Sequence, residues 1–159
     1  MPYIFSPMNE ESARKILNWR YDKSLYFYNP NPSKIEETLQ DFLNPENAYY
    51  SIFNNRNQLI AYCCFGADAR VKGGNYDIEA LDIGFGISPN LSRRGITFRI
   101  IKAVYEFAKS HFSATLFRVT VAEFNQQALR LYEKAGFKQV MKFQRKQDGM
   151  YFLVLTLEI

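Results

Sequence analysis

Apolar positions recur along this chain with two periods, and the switches between them divide it into elements. In "NEESARKILNWR", residues 9–20, Ala13, Ile16 and Leu17 fall on one side at helical spacing together with Arg20. Acids occupy the first turn, and Asn9 or Ser6 is available as its cap. "SKIEETLQDFL" places Ile35, Leu39, Phe42 and Leu43 on a second stripe, opened by Asn-Pro-Ser and stopped before Pro45. Between the two, "YDKSLYFYNPNP" breaks the period. The pattern then alternates: "AYYSIF" and "QLIAYCCFG" read as strands joined by "NNRN", whose asparagines tolerate hairpin turn conformations. After the loop "VKGGN", the run "YDIEALDIGFGI" predicts one long strand. In it Ile78, Ala80 and Asp82 face one way and Glu79, Leu81, Ile83, Phe85 and Ile87 the other, with Gly84 and Gly86 marking a bulge or a close backbone approach.

A third helix runs from Gly95 to about Ser110 on a stripe of Phe98, Ile100, Ile101, Val104, Tyr105 and Ala108. "ATLFRVTVAE" is a further strand. "NQQALRLYEKAGF" is a fourth helix with Gly136 at its C-terminal end, and a last hairpin turns at Asp148-Gly149. The predicted order is helix, helix, three strands, helix, strand, helix, two strands. Hairpins joined to one strand–helix–strand crossover imply a mixed sheet with helices on its faces. At 159 residues, the whole of 1–159 is expected to form one domain.

Composition narrows the function more than the fold. Twenty Lys and Arg against 16 Asp and Glu leave +4, a mild preference for anionic partners and too weak to argue for nucleic acid without a block of like charges. The start "MPYIFSPMNEESARK" lacks a basic and then apolar signal, and no apolar run is long enough to span a bilayer, so a cytoplasmic protein with no membrane contact is expected. Cys63 and Cys64 are adjacent in a strand, where neighbouring side chains diverge, so they read as small buried hydrophobes. With His111 far away in sequence, no metal site is expected.

The stretch that carries chemistry is "GFGISPNLSRRGITFRII", residues 84–101. It puts Arg93, Arg94, Gly95, Ile96 and Thr97 on the turn from a sheet strand into a helix. The first N–H groups of a helix lack internal partners and its dipole is positive there, which suits a phosphate or pyrophosphate. Gly95 permits close approach and the arginines add charge and forked donors. A plain helix start with solvated arginines accounts for the same residues. About 25 residues further on come Asn125, Ala128 and then Leu131-Tyr132-Glu133-Lys134-Ala135-Gly136-Phe137.

Together these segments resemble the GCN5-related N-acetyltransferase (GNAT) family, and the order of elements is similar over nearly the whole chain. The resemblance implies an α/β fold with a mixed, mostly antiparallel sheet of six to seven strands and about four helices. It implies acetyl-CoA as cosubstrate, with Phe85, Gly86 and Ile87 meeting the pantetheine and thioester carbonyl through their main chain. Arg93, Arg94, Gly95, Ile96, Thr97 and Phe98 would meet the pyrophosphate. Two positions depart from the family pattern: Ser92 stands where Gln or Arg is usual, and Thr97 where Gly or Ala is usual.

By the same resemblance Tyr132 is the general acid that returns a proton to the departing thiolate, while its helical spacing also suits a core tyrosine. Asn125 caps the fourth helix, binds the cofactor, or does both. Where some members carry a glutamate as base this chain has Thr120, leaving Glu79 and Asp82 as carboxylate candidates and Glu123 as a weaker one. His111 is given no role. Trp19, Tyr21, Tyr26, Phe27 and Tyr28 crowd one short segment, resembling members with Trp-x-Tyr followed by Phe-Tyr-Asn, and either line an acceptor pocket or only cover the sheet. The expected reaction is direct transfer of an acetyl group to a primary amine of a small molecule or a protein N-terminus. The alternative is an acyl-CoA-binding sensor without catalysis. The partners are then acetyl-CoA and an amine acceptor, and a homodimer is compatible with the sequence.

Overall fold

The structure, a computed structural model, describes residues 3–21, 23–91 and 94–159, and of Lys23, Ser24, Tyr26 and Arg94 the main chain alone. Its strands are β1 (Ile4–Pro7), β2 (Tyr50–Phe53), β3 (Leu59–Phe65), β4 (Leu81–Ile87), β5 (Leu116–Ala122), β6 (Lys138–Gln144) and β7 (Tyr151–Glu158). Its helices are α1 (Glu10–Leu17), α2 (Ile35–Leu43), α3 (Arg94–His111) and α4 (Gln126–Lys134). The strands form one sheet in the order β1-β2-β3-β4-β5-β7-β6. β4 and β5 run parallel, as the long crossover through α3 allows, and the other described pairs run antiparallel. The expected mixed, mostly antiparallel sheet with four helices is therefore present. Contacts divide the chain into two compact units, residues 1–64 with 85–97, and 65–84 with 98–159.

In the first unit Asn9 caps α1, its side-chain oxygen accepting the Ser12 N–H at 2.9 Å. The stripe of Ala13, Ile16 and Leu17 then packs on Leu39 and Phe42 of α2, with Trp19, Tyr49 and Tyr62 around them. The hairpin between β2 and β3 turns where anticipated: Asn54 Oδ1 accepts the N–H groups of Arg56 and Gln58, and Asn57 takes φ +59. Three features differ from the sequence expectation. β1 was absent from it, because four residues ending in proline carry too little alternation to be read, and pairing with β2 is what makes them a strand. Arg20 lies past α1 rather than on its stripe, and its Nη1 donates to the carbonyls of Leu17 (2.8 Å) and Trp19 (2.7 Å), closing the helix end. The aromatic segment contains a 3-10 helix at Lys23–Tyr28 and another at Pro32–Lys34, the latter capped by Asn31.

In the second unit α3 buries Ile100, Ile101, Val104 and Ala108, and the ring of Tyr105 lies 6.5 Å from that of Phe117 on β5. β5 pairs with β7 along its whole length, and the β6–β7 hairpin turns at Asp148-Gly149, with Gly149 at φ +75. β4 begins at Leu81, so residues 76–80 are irregular rather than part of a longer strand. The reason is side-chain competition for main-chain groups. Arg118 Nη1 takes the carbonyl of Ile78 at 2.7 Å, and the Tyr76 hydroxyl receives the Val71 N–H at 3.0 Å and pairs with Thr120 Oγ1 at 2.9 Å. Ile78 is left 71% exposed. Both cysteines are buried free thiols, and burial pushes the Cys63 thiol well above its ordinary range.

Candidate active site

α3 is a long helix whose first turn holds Gly95, Ile96 and Thr97. A Cβ built on Gly95 would meet nothing within 4 Å, so the main chain there faces open space. Orphan N–H groups, a positive dipole end and an uncovered glycine together fit an approaching phosphate. Ser92 and Arg93 lie outside the described residues, as does the Arg94 side chain. One turn on, the Phe98 ring lies under the ammonium groups of Lys102 (5.7 Å) and Lys134 (4.4 Å). The second lysine reaches it from the end of α4, a convergence that no local spacing in the sequence signals.

At the end of β4, Phe85 is half-buried and Ile87 buried. Gly86 is glycine for a packing reason, since a Cβ there would stand 2.4 Å from the Tyr62 ring. The expected close approach at this glycine is made by Tyr62, which in turn lies 6.2 Å from the Trp19 ring. The Ile87 carbonyl accepts the Tyr21 hydroxyl at 2.6 Å, and the next N–H, of Ser88, donates to the Ile60 carbonyl at 2.9 Å. Burial pushes the Tyr21 phenol up to about 12, so it remains a neutral donor at ordinary pH. Phe27 and Tyr28 form an exposed edge-to-face pair at 5.2 Å, while the Tyr26 side chain lies outside the described residues.

α4 starts at Asn125, whose side-chain oxygen accepts the Ala128 N–H at 3.2 Å. Its other end is a Schellman closure: Phe137 N–H returns to the Tyr132 carbonyl and Gly136 N–H to that of Glu133, both at 3.0 Å, with Gly136 at φ +106. The closure carries its usual apolar contact, because the Tyr132 and Phe137 rings meet edge to face at 5.4 Å. Tyr132 is 7% exposed. Its ring therefore closes a helix whatever its hydroxyl does.

The two candidate carboxylates have opposite surroundings. Asp82 is 2% exposed and opposite Arg118 in the β4–β5 register. Arg118 donates from Nε to Oδ1 (2.7 Å) and from Nη2 to Oδ2 (2.8 Å), and Arg70 Nε adds a third bond to Oδ2 (2.8 Å). Tyr76 stacks on both guanidinium groups, and the bond to Asp82 makes Arg118 still more basic than it ordinarily is. Both oxygens of this carboxylate are taken by guanidinium donors, which makes it the partner of a buried ion pair. Sequence reading missed Arg118, though a charge inside the apolar run "LFRVTVA" was a signal that it needed a buried partner. Glu79 is exposed on the irregular stretch before β4 and has no ion-pair partner among the described residues. Thr120 is engaged by Tyr76, Glu123 by Lys142 at 2.6 Å, and His111 by the Phe107 carbonyl at 3.0 Å. Among the described residues no group of side chains could hold a metal ion, and no helix is long and apolar enough to cross a membrane.

The sheet is mostly antiparallel with one parallel crossover, the crossover helix has an exposed glycine in its first turn, and an Asn-capped helix follows the next strand. The sequence matches the acetyltransferase (GNAT) family over residues 13–137, and the chain belongs to that family. No curated protein matches it. Among solved structures it is similar to an aminoglycoside acetyltransferase, AAC(6')-Ib, in complex with ribostamycin and coenzyme A: TM-score 0.78, 15% identity, 99% of this chain and 94% of the other. A spermidine N-acetyltransferase SpeG chimera from Vibrio cholerae and hSSAT superposes with a TM-score of 0.76 at 14% identity, covering 99% and 96%. An aminoglycoside N(6')-acetyltransferase from Legionella pneumophila gives 0.74 at 20% identity, covering 98% and 91%.

Proposed function

We propose that this protein transfers the acetyl group of acetyl-CoA directly to a primary amine of a small molecule. The observation that carries the reading is the open main chain at Gly95 in the first turn of α3, within the matched family segment. Similar folds named for spermidine and aminoglycoside acetylation favour a soluble polyamine or amino sugar over a protein N-terminus. Two free, buried cysteines suit a reducing compartment, and we assign the reaction to the cytoplasm.

In this reading the first turn of α3 binds the pyrophosphate at the positive end of the helix dipole. The main chain of Phe85, Gly86 and Ile87 orients the thioester. The amine attacks the carbonyl carbon, the C–S bond breaks, and Tyr132 gives its proton to the leaving sulfur. Glu79, exposed and with no ion-pair partner among the described residues, takes the amine proton through water, and Asp82 holds the sheet together. The aromatic segment around Tyr28 receives the acceptor.

Calorimetric titration with acetyl-CoA tests the reading, repeated with Gly95→Trp. The open space at Gly95 lets that variant fold while its indole covers the main chain. Saturable binding by the native protein and a loss of at least about 30-fold in the variant are expected, since each lost hydrogen bond to a charged group costs ~1.5–3 kcal/mol. A panel of spermine, benzylamine, ribostamycin and glycylglycine then reads CoA release. Binding without release from any of them would favour the sensor alternative.

A further inference from the structure

The segment "NWRYDKSLYFYN", residues 18–29, contains aromatics and an asparagine whose arrangement in the first unit goes beyond lining a pocket. Asn29 clamps the main chain of Tyr21 from both sides: its Oδ1 accepts the Tyr21 N–H at 2.6 Å, and its Nδ2 donates to the Tyr21 carbonyl at 2.9 Å. This ties Asn29 back to Tyr21, with Phe27 and Tyr28 exposed at the surface just before the clamp. The segment also bears on two successive residues at the end of β4, one directly and one through Tyr62. Trp19 packs on Tyr62, whose ring covers Gly86, and the Tyr21 hydroxyl holds the Ile87 carbonyl. The peptide between Ile87 and Ser88 is thereby pinned at both ends, by Tyr21 on its carbonyl and by the Ile60 carbonyl on its N–H. A peptide unit is planar, so fixing both groups fixes the plane and restrains the main chain just before it.

We infer that Tyr21 and Asn29 are positioning residues for acetyl transfer, fixing the main chain at the end of β4 while holding the aromatic acceptor loop beside it. The inference rests on the proposed function, because it assigns the restrained main chain to the thioester and the loop to the amine. It revises the sequence-based role of Tyr21, whose hydroxyl is spent on Ile87 rather than offered to an acceptor. Tyr21 acts on the acetyl side through Ile87, and Asn29 acts on the acceptor side through the segment it ties back to Tyr21. Their removal should therefore register in different kinetic constants.

The test is steady-state kinetics with acetyl-CoA and the same four amines, alongside acetyl-CoA titrations and thermal midpoints, for Tyr21→Phe, Asn29→Ala, Asn29→Asp and the control Asn31→Ala. Small misplacements at a reacting centre cost up to about 100-fold. Tyr21→Phe should lower kcat about tenfold with the acetyl-CoA dissociation constant within about twofold of native. Asn29→Ala should raise the acceptor KM about tenfold with a smaller change in kcat. Asn29→Asp, which keeps the acceptor for the Tyr21 N–H and loses the donor, should fall between native and alanine. Asn31→Ala, which removes only the cap of the next 3-10 helix, should match the native enzyme. Variants that alter kcat and KM only in proportion to the fraction folded, or not at all, would overturn the inference while leaving acetyl transfer intact. A native protein that acetylates none of the amines would overturn the function itself, and the positioning role with it.

Discussion

At the scale of single residues, the same side chain often serves a structural demand that is visible and a chemical one that is proposed, and substitutions can separate them. Tyr132→Phe keeps the edge-to-face contact with Phe137 and the helix closure, so stability should change by less than about 1 kcal/mol. If the hydroxyl protonates the thiolate, kcat should still fall about 100-fold, within the range for one general acid, with acetyl-CoA affinity kept. Unchanged turnover would return Tyr132 to the core alone. Asp82→Asn should behave in the opposite way. It leaves the Arg118 guanidinium, 3% exposed, without its counter-charge, and a broken buried pair costs ~3–5 kcal/mol. Urea unfolding should show that loss; a variant as stable as native but catalytically dead would instead restore Asp82 as the base.

At the scale of elements, the readable ones are those whose signals are local. Helix α4 carries its start in Asn125, its apolar face in Leu129 and Leu131, and its stop in Gly136, all within one short run. Asn125→Ala should lower stability by about 1 kcal/mol through loss of the cap, as judged by the urea midpoint at constant slope. If acetyl-CoA affinity falls as well, the same amide also meets the cofactor; stability unchanged by the substitution would mean that water caps the helix equally well. The elements that escaped reading have causes distant in sequence. β1 exists because β2 pairs with it, and just before β4 the Ile78 carbonyl is taken by the side chain of Arg118, 40 residues on. The candidate site divides along the same line. The glycine at α3 and the Asn–Tyr helix were legible, whereas Tyr62 against Gly86, Asn29 against Tyr21 and two lysines on Phe98 are encounters between separated segments.

At the scale of the whole molecule, one of these distant contacts should be readable as a property of global unfolding. The Tyr21 phenol titrates at about 12 in the folded protein and near 10.0 when burial is lost. Between those values the unfolded chain has released the proton and the folded chain still holds it. The folded state then binds more protons, and stability must fall as pH rises. The contribution of Tyr21 is complete below pH 10 and is lost progressively up to about pH 12, on the order of 2–3 kcal/mol across the window. Other groups also titrate there, so the informative quantity is the stability gap between native protein and Tyr21→Phe, measured by urea unfolding at pH 8 to 12. Below pH 10 the gap should be constant and include the hydrogen bond to Ile87. Above it the gap should close, because the phenylalanine variant has no proton to lose at that position. A gap that stays constant to pH 12 would mean that the phenol ionises as readily folded as unfolded, and the pinned peptide at the end of β4 would lose its anchor.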